Sequence, residues 1–224
     1  MAIVVVGGQS RNVGKSSVVA GLIARLPERR WTAFKITQYE HGFCTANGAP
    51  CACVTADHSV AISEEQSASL RTDTARFLAA GAARSFWVRT RQGRLAEAMP
   101  RIQKELAAAE NSILESNRVM EFLQPDVYLT VLDASLTDWK VSARLHLNRA
   151  DAVLLRATNT QPSWPGISAD LLHGIPQFQI EPPDYLTDAV VAFVRERIGP
   201  AAPTLTAPSE PPSSRAGHKD WAEA

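Results

Sequence analysis

The stretch from Val4 to Val19, VVVGGQSRNVGKSSVV, constrains the fold more than any other part of the chain. Ile3 to Val6 is a short apolar, β-branched run, the pattern of a strand covered on both faces. After Gly14-Lys15-Ser16, apolar residues recur at Val18, Val19, Leu22, Ile23 and Leu26, which is helical spacing. A chain that leaves a buried strand through small and polar residues, and enters a helix at a lysine, must turn sharply. In that turn its main-chain N–H groups point at one place. Free N–H groups at a helix start, the positive end of the helix dipole and a nest of amides before it together attract an anion. Lys15 adds a mobile positive charge, and the Ser16 hydroxyl is placed to meet Mg²⁺.

That arrangement resembles a P-loop. Gly8, Gln9, Ser10, Arg11, Asn12, Val13, Gly14, Lys15, Ser16 and Ser17 are then the residues that wrap a nucleoside triphosphate. The common spacing is G-x-x-x-x-G-K-[ST], but the position five before Gly14 is Gln9. The glycine stands one place earlier, so the loop reads G-x-x-x-x-x-G-K-S from Gly8 to Ser16. This longer spacing resembles the loop of dethiobiotin synthetase and its relatives. The same class of P-loop proteins holds the molybdopterin-guanine dinucleotide biosynthesis adaptor, which acts in molybdenum cofactor biosynthesis.

At 224 residues the chain suits one nucleotide-binding domain, 1–199, with a tail at 200–224. The tail is rich in Pro, Ala and Ser, poor in large apolar residues, and expected to be disordered. Lys plus Arg and Asp plus Glu number 23 each, so no broad basic field argues for nucleic acid. No apolar run reaches the length of a membrane span, and the first residues lack the layout of a signal peptide. A cytoplasmic enzyme or nucleotide switch is the expectation.

Strand and helix signals alternate. Strands are expected at 32–36, 85–88, 112–116, 126–133, 152–158 and over IPQFQI. Helices are expected around RTDTARFLAAGAA, at 94–109 with a break or kink at Pro100, at 139–149, and after Asp184 as a cap. The expected faces carry Ala75, Leu78 and Ala79 in the first helix, and Leu186, Val190, Val191, Val194 and Ile198 in the last. Such alternation means an α/β fold with a mostly parallel central sheet and helices on both faces. Ligands then bind beyond the carboxyl ends of the strands, which is where chemistry is sought.

Lys35 lies near the end of the second expected strand. A lysine in an apolar strand either reaches an anion or snorkels from an edge. Glu115 ends the strand SILE, where a carboxylate faces the phosphate loop and can hold Mg²⁺ or orient an attacking group; a helix-start acid is the plainer reading. Asp133 ends the next strand, as a metal-supporting residue or a cap. Around FKITQ the chain is similar to the Lys-Pro-x-Gln segment of dethiobiotin synthetase and to the Lys-His segment of the adaptor family. RTDTARFLAAGAA is similar to an Asp-Ser-x-Arg and Glu-Ala-Gly-Ala stretch of the adaptor, matched by Asp73, Thr74, Arg76 and 79–82; Asp73 either sits near the metal or caps the helix, with the cap the first expectation. These resemblances cover residues 1 to about 160 and imply catalytic roles for Lys15, Lys35 and Glu115, with Ser16 and Glu115 on the metal. Where GTP-binding relatives carry Asn-Lys-x-Asp, this chain reads Arg156-Ala157-Thr158-Asn159; Asn159 is the remaining candidate for the base, and GTP and ATP both stay open.

The insertion near 41–71 contains Cys44, Cys51 and Cys53, with His41 and His58 beside them. Thiolates with imidazole suit Zn²⁺, but C-x6-C-x-C is not a standard zinc spacing, and three unliganded thiols are the plainer reading. Its length and Gly, Pro and Ser content suggest a mobile loop over the nucleotide. Two functions fit the resemblances. One is a nucleotide-binding adaptor that assists a partner enzyme in cofactor assembly. The other is an ATP-dependent enzyme activating a small molecule, or a kinase. Such relatives are often homodimers.

Overall fold

The computed structural model describes residues 1–39, 59–69, 71–156, 164 and 166–201. The cysteine-bearing stretch with His41 and His58, the Asn159 loop and the tail beyond 201 lie outside the described residues. The elements run β1 (Ile3–Gly8), α1 (Lys15–Arg25), β2 (Trp31–Tyr39), β3 (Val60–Glu64), α2 (Asp73–Ala79) and β4 (Arg84–Arg91). They continue with α3 (Leu95–Ala107), β5 (Asn111–Glu115), β6 (Val127–Asp133), α4 (Val141–His146), β7 (Ala152–Arg156), β8 (Gln177–Ile180) and α5 (Asp188–Arg197).

The strands form one sheet in the order β3-β4-β2-β5-β1-β6-β7-β8. Every neighbouring pair is parallel except β3–β4. The expected α/β architecture is therefore present, with the strand–loop–helix unit of a P-loop fold at the middle of the sheet. Side chains alternate across β1, and this divides the core. Val4 and Val6 pack with Val18, Val19, Leu22 and Ile23 of α1, Phe77 of α2, and Val190, Val191 and Val194 of α5. Val5 faces the other way, onto Leu95, Ala98, Met99, Ile102 and Leu106 of α3. Leu132, Val153 and Leu155 meet Trp139, Ala143 and Leu147 at α4. Each fully buried aliphatic side chain on α1 contributes about 1.5–3 kcal/mol, which fixes the helix start above β1.

Four local expectations are corrected. β3 arises inside the 41–71 segment, where no element was expected, and pairs antiparallel with β4 from Val60↔Thr90 to Glu64↔Phe86. Pro100 does not break α3: Pro100 and Ala96 both lie on the exposed side, so the carbonyl that loses its donor meets water while the buried face holds the helix. The last helix is capped by Thr187, whose side chain accepts from the Val190 N–H; Asp184 instead accepts from the Leu186 N–H. On α2 the buried positions are Thr74, Ala75 and Phe77, with Ala79 exposed. No described helix is long and apolar enough to cross a membrane.

Candidate phosphate and metal site

The loop between β1 and α1 is held from below. β1 extends to Gly8, two residues beyond Val6, which pairs with Glu115 of β5, and Gly8 pairs with Val131 of β6. Gln9 then continues the link. Its N–H donates to the Val131 carbonyl at 2.9 Å, its Nε2 to the Leu136 carbonyl at 2.8 Å, and its Oε1 accepts the Asp133 N–H at 2.9 Å. A fourth bond runs from the Lys140 N–H to the Gln9 carbonyl at 2.9 Å. Gln9 is fully buried. This is the structural content of the extra residue in the loop: glutamine replaces the expected glycine because its amide staples the loop to the segment after β6.

On the other side, Asn117 clamps Gly8. Its Oδ1 accepts the Gly8 N–H at 2.7 Å and its Nδ2 donates to the Gly8 carbonyl at 2.9 Å. Gly7 permits this approach, since a Cβ there would lie 2.2 Å from Asn117 Oδ1. The expectation that all amides from Gly8 to Ser17 face an anion is thus corrected. Gly8 and Gln9 spend their N–H groups on the frame, and the Ser17 N–H donates to the Gly14 carbonyl. Among the described residues, the main-chain N–H groups from Ser10 to Ser16 have no hydrogen-bond acceptor. Positive φ at Asn12 (60°) and Gly14 (105°) curls that stretch into a concave run of donors.

Lys15 Nζ folds over this concavity and donates to the Ser10 carbonyl at 2.6 Å. Burial pushes its ammonium down to about pKa 8; Glu115 and Asp73 oppose the fall, and Lys140 and Lys35 add to it. Ser16 Oγ donates to Glu115 Oε2 at 2.7 Å. Lys35 Nζ sits at 2.5 Å from Glu115 Oε1, 3.1 Å from Ser16 Oγ and 2.9 Å from Asp73 Oδ2. Lys35 therefore does not snorkel from an edge: β2 is an interior strand, and its register partner on β5 is Glu115 itself.

Asp73 is not the cap of α2; Thr72 is, accepting from the Ala75 N–H. Asp73 faces the site instead. Burial works against its ionisation, but Lys35, Ser16 and Arg76 outweigh it and hold the carboxyl below the ordinary range. Arg76 Nη2 also donates to Ser17 Oγ at 3.3 Å. Asp133 is committed elsewhere: it accepts from the Ser135 N–H and hydroxyl and from Arg156 at 2.6 Å, so it caps a turn.

Hard oxygen donors from Ser16, Glu115 and Asp73 lie together beside the amide nest, the donor set that Mg²⁺ takes. The expected Lys15, Lys35, Ser16 and Glu115 are thus brought together. Asn159, Cys44, Cys51, Cys53, His41 and His58 lie outside the described residues, and so does any test of a Zn²⁺ site among them. Reading the sequence missed Asn117, Lys140 and Tyr185. The Tyr185 ring, in the turn after β8, lies against Gly14, where a Cβ would come within 2.2 Å of it. Asn117 stands two residues beyond Glu115 and was visible as a polar residue at a strand end; nothing local marks Lys140 or Tyr185.

No protein-family model and no curated protein matches the chain. Among solved structures it is similar to LpxK from Aquifex aeolicus, crystallised with ATP, at 20% identity and a TM-score of 0.44. That match covers 80% of this chain and 53% of the LpxK chain. It is also similar to HypB from Helicobacter pylori, crystallised with nickel, at 12% identity and a TM-score of 0.43, covering 85% of this chain and 82% of the HypB chain. The chain spans about half the length of LpxK. At these values neither likeness carries a ligand or a residue's role across.

Proposed function

We propose that the chain is a Mg²⁺-dependent nucleoside-triphosphate-binding protein that holds the phosphates in the loop from Ser10 to Ser16. The observation that carries this reading is the run of unengaged N–H groups closing on Lys15, directly beside the Ser16–Glu115–Lys35 cluster. The N–H groups and Lys15 would bind phosphate oxygens. Ser16 and Glu115, with Asp73 near them, would hold Mg²⁺, which supplies neutralising charge when bound. Lys35 would stabilise charge on the outermost phosphate. Because β5 and β2 lie to one side of β1 and β8 to the other, the nucleoside end would run toward Tyr185. ATP and GTP are the candidate ligands.

Within this reading we place the chain closer to the molybdopterin-guanine dinucleotide biosynthesis adaptor. Asp73 and Arg76, two of the residues of that resemblance, contact Lys35 and Ser17 at the phosphate site. It would then bind nucleotide and serve a partner enzyme. The second reading, an ATP-dependent activating enzyme similar to dethiobiotin synthetase, is favoured by Lys35 reaching Glu115 from β2. Turnover that stays at background with small acids or amines, but rises with a protein partner, selects the adaptor.

The test is titration with Mg²⁺ and labelled ATP or GTP. Lys15→Ala should lose about 3 kcal/mol of binding, more than a hundredfold, as expected for charge-assisted bonds to phosphate. Equal affinity in wild type and variant removes the phosphate role.

A further inference from the structure

We propose that Lys140 is a third phosphate ligand, whose ammonium binds the terminal phosphate from the side opposite Lys35. This rests on the reading that the loop holds a nucleoside triphosphate.

Lys140 follows β6, and Lys35 belongs to β2; β1 and β5 lie between them in the sheet. The Lys140 N–H bond to the Gln9 carbonyl fixes its Cα beside the base of the phosphate loop. Its side chain is half-buried, yet among the described residues it makes no ion pair and no side-chain hydrogen bond. The carboxylates that could serve it are committed. Glu115 is taken by Lys35 and Ser16, and Asp133 by Arg156 and Ser135. Asp138 is exposed and acts on it only through its field.

Burial lowers the pKa of Lys140, and Arg11 and Lys35 push the same way against Glu115 and Asp138. A half-buried ammonium among like charges costs stability unless an anion arrives. Lys15, Lys35, Lys140, Arg11 and Arg76 give five positive charges around three negative ones, Glu115, Asp73 and Asp138; the difference is two positive charges. A polyphosphate with its metal is itself anionic and balances that excess. Lys140 is tied to Gln9, next to Ser10, whose carbonyl Lys15 Nζ reaches at 2.6 Å, so the phosphate it would meet is the outer one that Lys15 also faces.

The experiment measures affinities of the full chain, with Mg²⁺, for ATP and GTP and for ADP and GDP. Lys140→Met should weaken triphosphate binding by about tenfold or more, the worth of one charged hydrogen bond. Diphosphate binding should stay within about threefold, and Lys140→Arg should keep most of the triphosphate affinity. Lys140→Met should also melt no lower than wild type, because it removes an unpaired ammonium; Lys140→Gln, read the same way, serves if the methionine variant does not fold. Triphosphate binding unchanged in the methionine variant, or triphosphate and diphosphate weakened equally, overturns the proposal. A wild type that binds no nucleotide overturns the parent reading instead, and the two failures are told apart by that control.

Discussion

Lys35→Met tests how the site is held before any ligand arrives. The substitution preserves the length of the aliphatic stem and deletes the charge that faces Glu115 at 2.5 Å and Asp73 at 2.9 Å. Glu115 is 3% exposed, so its carboxylate would keep only the Ser16 hydroxyl as a partner. Removing one member of a buried pair costs about 3–5 kcal/mol; Lys35 and Asp73 retain some contact with water, which places the cost near 3 kcal/mol. For a domain of this size that is a fall in melting temperature of about 6–12 °C. Urea unfolding followed through Trp31, fully buried on β2, reads the loss directly. The double variant Lys35→Met with Glu115→Met should recover most of it, because an apolar replacement of a buried pair is close to neutral. A single variant within about 1 kcal/mol of wild type, or a double variant no more stable than the single, refutes the pairing as the reason Lys35 stands in the strand.

Two further outcomes follow from the same geometry. Lys15 titrates at about pH 8 in the free protein, whereas a bound phosphate would restore its ammonium. Nucleotide binding above that pH should therefore take up a proton, with affinity falling by up to about tenfold per pH unit; calorimetry in two buffers of different ionisation heat checks it, and an affinity flat from about pH 7.5 to 9.5 speaks against it. Asn117→Ala should cost about 2–3 kcal/mol in stability, through its two buried bonds to Gly8, and should weaken nucleotide binding as the loop loses its clamp; denaturation and titration with no change in either quantity contradict that role.

Much of the fold could be read because local and global preferences agree. The apolar β-branched run of β1 and the 3.6-residue spacing of α1 name their own structures. The strand–loop–helix unit around Gly14-Lys15-Ser16 was legible for the same reason, since that triplet marks a helix start after a sharp turn. β3 was not, because Val60–Glu64 is a short strand that exists through pairing with β4 rather than through its own pattern. Pro100 misled because a proline's cost depends on which face it occupies, and spacing alone does not say that its carbonyl partner meets water. Lys140 and Tyr185 reach the site through loops after β6 and β8, at positions set by long-range packing. Asp73 was read as a cap candidate because a helix start accepts aspartate anywhere in its first turn, and only the neighbouring strand reveals the lysine it faces.

The four hydrogen bonds of Gln9 have a mechanical consequence. They tie the floor of the loop between β1 and α1 to residues 131–140, so the two cannot slide past each other without breaking bonds worth about 1 kcal/mol each. The tether runs straight into α4, whose Val141 and Leu145 turn apolar surface to solvent at 66% and 59% exposure. A pull on one end of this strut is borne by the other, which makes the outer helix a handle on the curled loop before α1.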